Sequence, residues 1–435
     1  MKNKLIAVLT LITLGVMGQG NSPFSIHGPG DIFGSNFNNN FSLAGIGAST
    51  SYSNQVNPLN PASYSDIKFT IGEVGVFSST NKYELNGISD TKNHTNLSGF
   101  ALGFPLKNNW GMAFGITPYS KQNYSYYNSE QLSDLTKVKY VYEGNGGVSN
   151  VFLGTGYKYR GISLGVNGTF MFGRLEQISK VKYNNDDFKS VRFQNYSNLK
   201  GFGFNTGMQY EMVLNEELFM KIGANLTLQS DLKTSNYQKS NYFTVNEVLN
   251  TNNEEVTAEF HETTTITNTE NVPTKGTITL PQNMQAGVTI GEKDYWTLSA
   301  EFAFSEWEEF ALNKDNNELK NSNKFMLGGS IIPNIQALGK GNYWKSIQYN
   351  LGLKYGLSEV VYNSTQLPEY GINIGVSLPL RKFKYETETF GSMINLSLGY
   401  MHRGNGSAST INEDYLNINL SITLNDKWFI KRKFN

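Results

Sequence analysis

The chain has 435 residues, with 36 Lys and Arg balanced by 36 Asp and Glu, and no cysteine. The neutral balance gives no electrostatic footprint for nucleic acid, and the missing cysteines exclude thiolate catalysis, Cys-ligated metal, a disulfide framework and a lipoprotein anchor. Charged residues make up 17% of the chain, against roughly 25% in soluble domains, and 43 glycines, 25 tyrosines and 27 phenylalanines complete a mixture that suits a barrel.

In chain order, Lys2 and Lys4 precede an apolar run from Leu5 to Val16, followed by Gly18, Gln19 and Gly20. This predicts a secretory signal peptide over 1–18. The run is too short for a spanning helix, which needs about 20 apolar residues. Export without a helical anchor leaves the periplasm, secretion or the outer membrane. Residues 19–66 show no periodicity. Ser42-Leu43-Ala44-Gly45-Ile46-Gly47-Ala48 is small and flexible, and Asn57-Pro58-Leu59-Asn60-Pro61-Ala62 is turn chemistry with two prolines. The segment is either a disordered periplasmic tail or a plug inside a lumen, and its small residues favour the plug.

From residue 67 a two-residue rhythm takes over. Leu416, Ile418, Leu420, Ile422 and Leu424 alternate with Asn417, Asn419, Ser421 and Thr423, which sets the two groups on opposite faces of a strand. Leu351 and Leu353 against Asn350, Gly352 and Lys354, or Ile222, Ala224 and Leu226 against Lys221, Gly223 and Asn225, repeat it. Segments of this kind fall near 67–78, 94–105, 110–119, 147–160, 161–175, 196–213 and 217–230. They continue near 275–290, 295–309, 323–334, 345–358, 368–380, 391–403 and 413–424. Their lengths exceed soluble strands of 5–6 residues and match membrane strands of about 9–11. Short turns alternate with long polar loops expected at Lys121–Gly146, Gln177–Asn195 and Asp231–Thr274. The expected fold is therefore all-β: a transmembrane antiparallel barrel of about 14 strands over 67–424, with an N-terminal lumen plug. Hydrocarbon offers no partner to an open sheet edge, so the barrel must close. Residues 425–435, with Trp428, Phe429 and the basic run Lys431-Arg432-Lys433, form a periplasmic tail. Both termini are expected in the periplasm of a Gram-negative cell.

Chemistry of other kinds is thin. The histidines His27, His94, His261 and His402 have no metal-binding spacing. His402 and Ser407 sit in a glycine-containing turn that needs no catalytic reading, and Asn184-Asn185-Asp186-Asp187 is explained by a polar loop tip. No enzyme, metal or cofactor is expected. Lys158, Lys221, Glu301 and Lys354 lie on polar faces of strands. They either solvate the lumen and touch the plug or hold a ligand carboxylate by charge-assisted hydrogen bonds. Gly111, Gly115 and Pro118 in the third strand can kink it, although Pro118 equally suits an ordinary strand end.

The run SLAGIGA with NPLNPAS, the LP-x5-G pattern of Leu280-Pro281-Gln282-Asn283-Met284-Gln285-Ala286-Gly287, and the strand bounded by Trp296 and Trp307 resemble FadL-type outer-membrane transporters. That resemblance covers about 30–424. It implies a 14-strand barrel, an N-terminal hatch, a lateral portal at a third-strand kink, and a hydrophobic small-molecule ligand passing toward outer-membrane lipid. On it, Gly45, Gly47, Asn60, Pro61 and Ala62 become hatch and gating candidates, and Gly111, Gly115 and Pro118 portal candidates. The Asp231–Thr274 segment departs from the family's capture loop, being rich in Thr, Asn and Glu. Two functions follow: passive uptake of a hydrophobic or amphipathic molecule, or service as a structural subunit of a secretion or barrel-assembly complex with other outer-membrane or periplasmic proteins.

Overall fold

The computed structural model describes residues 22–33, 37–133, 136–183, 188–249, 255–269, 274–312, 315–316, 319–337, 342–385 and 388–427. The expected signal peptide, the acidic tip at 184–187 and the aromatic, basic tail lie outside these residues.

Fourteen strands make the wall. In chain order they are β1 (Thr70–Leu85), β2 (Ile88–Lys107), β3 (Trp110–Gln131), β4 (Lys137–Tyr159), β5 (Ile162–Tyr183) and β6 (Ser190–Val213). β7 runs in two lengths (Leu218–Thr227 and Ser230–Leu249), as does β8 (Thr274–Leu280 and Asn283–Glu292), with Glu255–Asn268 paired above it to the upper part of β7. The rest are β9 (Trp296–Ser305), β10 (Ser322–Ile331), β11 (Gln348–Tyr362), β12 (Thr365–Tyr385), β13 (Glu388–Arg403) and β14 (Asn412–Asp426). Each pairs antiparallel with its neighbour, and β14 returns to β1 from Thr70↔Asp426 to Glu84↔Asn412. The wall has no open end.

The alternation read from sequence is the alternation of this wall. Leu416, Ile418 and Leu424 are exposed on the outside, while Asn419, Ser421 and Thr423 are buried inside. Leu351, Leu353, Ile372 and Ile374 face out on β11 and β12, against buried Asn350 and Asn373. An exposed apolar belt on this scale is unstable in water and matched to lipid. Exposed aromatics edge it: Trp110, Tyr157, Tyr210, Tyr295 and Trp344 near the short turns, and Phe302, Phe325, Tyr355 and Tyr370 in cross-strand register at the other margin.

The expected long loops differ most from what forms. Much of 121–146, 177–195 and 231–274 is strand, because β3 to β7 continue well beyond the apolar belt. Past the belt the outward face no longer needs apolar residues, so hydrophobic alternation stops while the backbone ladder goes on. Tyrosines take over there, as in the Tyr126–Tyr142 stack at 5.2 Å. Asn86 and Gly87, both at positive φ, make the two-residue hairpin of β1 and β2.

The described residues of 22–66 enter the lumen. They contain 3-10 turns at Pro23–Ile26 and Pro61–Asp66, a five-residue α-helix at Asn38–Ser42, and a two-residue strand at Asp31–Ile32. Phe37, Leu43, Ile46, Ala48, Val56, Ala62 and Tyr64 are almost wholly buried between plug and wall. The first described residues lie beside Arg403 and Glu413, at the opening opposite to that of Thr70 and Asp426. The barrel's own ends share one opening, whereas the plug begins near the other.

Candidate functional site

The base of the plug is held by wall side chains that reach its backbone. Glu301 on β9, 4% exposed, accepts the N–H groups of Gly47 at 2.9 Å, Ala48 at 3.0 Å and Ser49 at 2.7 Å. It also accepts Ser49 Oγ at 2.7 Å and Gln285 Nε2 at 2.6 Å. Successive N–H groups converging on one anion form a backbone nest, and a buried carboxylate is tolerable only when satisfied in this way. Asn60 caps the turn that follows by accepting from Ala62 N at 3.0 Å. Its amide donates to Ala48 O at 2.6 Å and Ala224 O at 3.2 Å. Gln209 donates to Ala48 O and Thr50 O. Pro61 and Asn60 press on Gly156, Gly165 and Gly207, where an added Cβ would collide with the plug backbone or the Asn60 amide. These wall glycines are the space in which the Asn60–Ala62 turn sits.

Asp66 ends the plug between Lys221 at 2.9 Å and Lys158 at 3.1 Å, and Glu211 joins both lysines. Burial alone would raise the Asp66 carboxyl, but Lys221 and then Lys158 outweigh it and hold it well below the usual carboxylate range.

The upper lumen carries a second ionic group. Arg403 meets Glu413 at 2.6 Å and Asp31 at 3.3 Å, and donates to Ser22 Oγ at 3.0 Å. Burial pushes the Asp31 carboxyl up to about 7, against the pull of Arg403. Beside it, Lys354 pairs with Glu369 at 2.7 Å and Lys324 with the same carboxylate at 3.4 Å.

Between plug and wall lies a cavity of about 480 Å³. Phe33, Phe41, Phe77 and Phe152 line it, together with the upper ionic group and an arc of Asn167, Asn205, Thr227, Asn283, Ser305 and Ser322. Those six polar residues stand in direct register across β5 to β10. The cavity also reaches Thr117, Pro118 and Tyr119, where the wall is split. Pairing of β2 with β3 stops at Phe100↔Ile116, and the β3–β4 register shifts between Pro118 and Ser120. Among the described residues, 88–99 and 117–131 do not pair with each other. The exposed β3 edge is taken instead by the N-terminal segment: Asp31 pairs with Lys121, Ile32 with Ser120, and Phe33 N–H donates to Tyr119 O at 2.9 Å.

Of the residues singled out from sequence, Gly45, Gly47, Asn60, Pro61 and Ala62 lie in the plug. Pro118 lies at the split, while Gly111 and Gly115 lie below it in fully paired strand. Lys158, Lys221 and Glu301 contact the plug, and Lys354 lines the cavity already paired with Glu369. His402 bonds Asp414 and Ser407 bonds Ser409, so these two residues are not brought together. No group of three potential metal ligands occurs among the described residues. Sequence reading passed over Asp66, Glu211, Lys324, Glu369, Arg403 and Glu413. The available signal was parity: most are charged residues at inward positions of strands in a charge-poor chain.

A closed 14-strand wall around an N-terminal plug, belted with apolar residues, is the architecture of FadL-type outer-membrane channels. The Pseudomonas putida toluene transporter TodX is similar at TM-score 0.54 and 11% identity, over 92% of this chain and 98% of that one. The Ralstonia pickettii toluene transporter TbuX (0.54, 12%, 90% and 98%) and a Pseudomonas aeruginosa FadL homologue (0.54, 9%, 91% and 98%) agree with it. At such identities the likeness is one of fold. The family model that matches is BamG, over residues 1–435, and the chain belongs to the BamG family. No curated protein matches it.

Proposed function

We propose that the chain is an outer-membrane barrel of FadL architecture that serves as a structural subunit of a barrel-assembly or protein-secretion complex, with its lumen kept shut by the plug. The observation that carries this reading is the commitment of Lys158, Lys221, Glu301 and Lys354 to partners within the chain. Lys158 and Lys221 hold Asp66, Glu301 holds three plug amides, and Lys354 holds Glu369. A fatty-acid carboxylate would have to break one of these pairs. Whole-chain membership of the BamG family, with FadL likeness confined to fold, favours the same reading. The test is extraction of the tagged chain at native expression in mild detergent, followed by a native gel and mass spectrometry. Comigration with other outer-membrane barrels in one large complex is expected. A monomer carrying stoichiometric lipid would overturn it.

A second reading, passive uptake of a hydrophobic or amphipathic molecule into outer-membrane lipid, is favoured by one feature: the cavity reaches the split between β2 and β3. On that reading Gly45, Gly47, Asn60, Pro61 and Ala62 gate the base, and the portal opens at Pro118. Uptake of toluene by cells that is lost on deleting the gene and restored by the intact chain would support it.

A further inference from the structure

One corner of the cavity holds polar atoms that nothing in the fold satisfies. His94 on β2 is 5% exposed, lines the cavity, and has no hydrogen-bond partner at either ring nitrogen. Ser79 on β1 and Asn417 on β14 stand in direct register with it. Asn81, two residues along β1, accepts from Ser79 at its carbonyl oxygen and turns its amide to Tyr83, whereas Asn417 leaves its Oδ1 unpaired. Strands β2 and β14, on either side of β1, thus aim unsatisfied groups of both polarities at one place. Such groups are rare inside proteins and call for a bound partner.

The same corner has an aromatic side. Phe77 stands 6.0 Å, ring to ring, from each of Phe33, Phe41 and His94. Its charge balance bears on the ligand. Arg403, Lys324 and Lys354 line the cavity with Asp31, Glu359 and Glu369, Glu413 backs Arg403, and Lys121, bonded to Asn96 Oδ1 at 3.0 Å, stands near His94. Four cations face four carboxyl groups, so the cavity offers an anionic head little net charge. Imidazole and carboxamide groups instead suit a hydroxyl, which both donates and accepts.

We propose that this corner binds an uncharged amphiphile through its hydroxyl group, held by His94 and Asn417, with its apolar body against Phe33, Phe41 and Phe77. Binding of this kind stands whether the molecule passes through the wall or remains resident in a complex subunit. It therefore goes beyond both functional readings and is tested apart from them.

The test uses the full chain in lipid nanodiscs and equilibrium dialysis of three labelled probes of one size, with empty nanodiscs subtracted. 4-Ethylphenol carries the hydroxyl, ethylbenzene lacks it, and 4-ethylbenzoate replaces it with a carboxylate. 4-Ethylphenol should bind about tenfold or more tightly than either, the effect of one buried hydrogen bond. His94→Leu should bring its affinity to that of ethylbenzene while ethylbenzene itself binds unchanged. Unchanged ethylbenzene binding also reports an intact cavity. Should His94→Leu fail to fold, Asn417→Ala must reduce the phenol preference at least threefold. Equal binding of phenol and hydrocarbon, tighter binding of the benzoate, or a preference indifferent to the folded variant would overturn the assignment.

Discussion

The two ends of the plug are held in different ways. At the base, residues 47–66 are fastened by wall side chains from β4 to β9, most of them ending on plug backbone: Glu301 on three N–H groups, Gln209 on two carbonyls, Asn225 on Leu59 O at 2.6 Å. At the top, residues 22–33 rest on Arg403, on a two-residue strand along β3, on Ser120 and Gln122 donating to Pro29 O and Ser25 O, and on Phe24 packed against Val360 and Leu367. Backbone-directed bonds fix a shape whatever side chains it carries, and they are denser at the base, whereas the top depends more on an ionic contact and a short edge pairing. The top lies as a strap over the split wall. Local openings are drawn from the weakly held end of such a range.

The sharpest way to break that contrast is at Glu301. Glu301→Ala leaves three buried N–H groups and Gln285 without their acceptor, and removing one side of a buried charged arrangement costs about 3–5 kcal/mol. The base should loosen, read as a large rise in single-channel conductance and in protease cutting near residues 45–50. Hydrogen exchange at Asp31 to Phe33 should stay as it was. Asp66→Asn comes next. It removes the charge between Lys158 and Lys221 but leaves Glu211 to both, so about 2–3 kcal/mol of local stability is expected to go, measured by hydrogen exchange across Pro61 to Ile67.

The two ends should also respond to acid with opposite sign. Asp66 titrates below its unfolded value of about 4, so its contribution is complete above that pH and is lost as pH falls through the lower folded value. Asp31 is raised to about 7. Between about 4 and 7 the folded state holds the proton that the released strap gives up, so the strap's hold weakens as pH rises through that window. Hydrogen exchange at pH 5 and pH 8 should show the strap opening faster at pH 8 and the base unchanged. A base that opens with the strap would merge the two regions into one unit.

How much of this could be read beforehand follows from where hydrophobicity must alternate. Within the lipid belt the outward residues have to be apolar, so Leu416, Ile418 and Leu424 marked β14, and all 14 strands were legible near their observed positions. Above the belt that requirement ends, and from residue 121 onward the sequence of β3 to β7 carries a loop-like polar pattern although the ladders continue. Asn60, Pro61 and Ala62 were legible as turn chemistry, and Asn60 caps the turn that begins at Pro61. The partners of Lys158 and Lys221 were not, because Asp66 meets them across 92 and 155 residues of sequence. His94 looked isolated in the sequence, but in the lumen it stands beside Ser79, Asn417 and Phe77, neighbours fixed by strand register, which the chain does not announce.

The smallest effect expected is the most direct measure of the strap. Phe33→Pro removes the N–H that donates to Tyr119 O and disfavours a helical conformation at Ile32 without disturbing its extended one. The loss is one hydrogen bond at a partly buried edge, about 1 kcal/mol, far too little to unfold a closed barrel. Its consequence should be confined to the split: amides of Tyr119 to Asn123 on β3 should exchange about fivefold faster, while those of Gly47 to Ser49 keep their protection. If the Gly47 to Ser49 amides also quickened, the strap and the base would be one cooperative piece, and Glu301 would be guarding the split in the wall as well as the floor of the lumen.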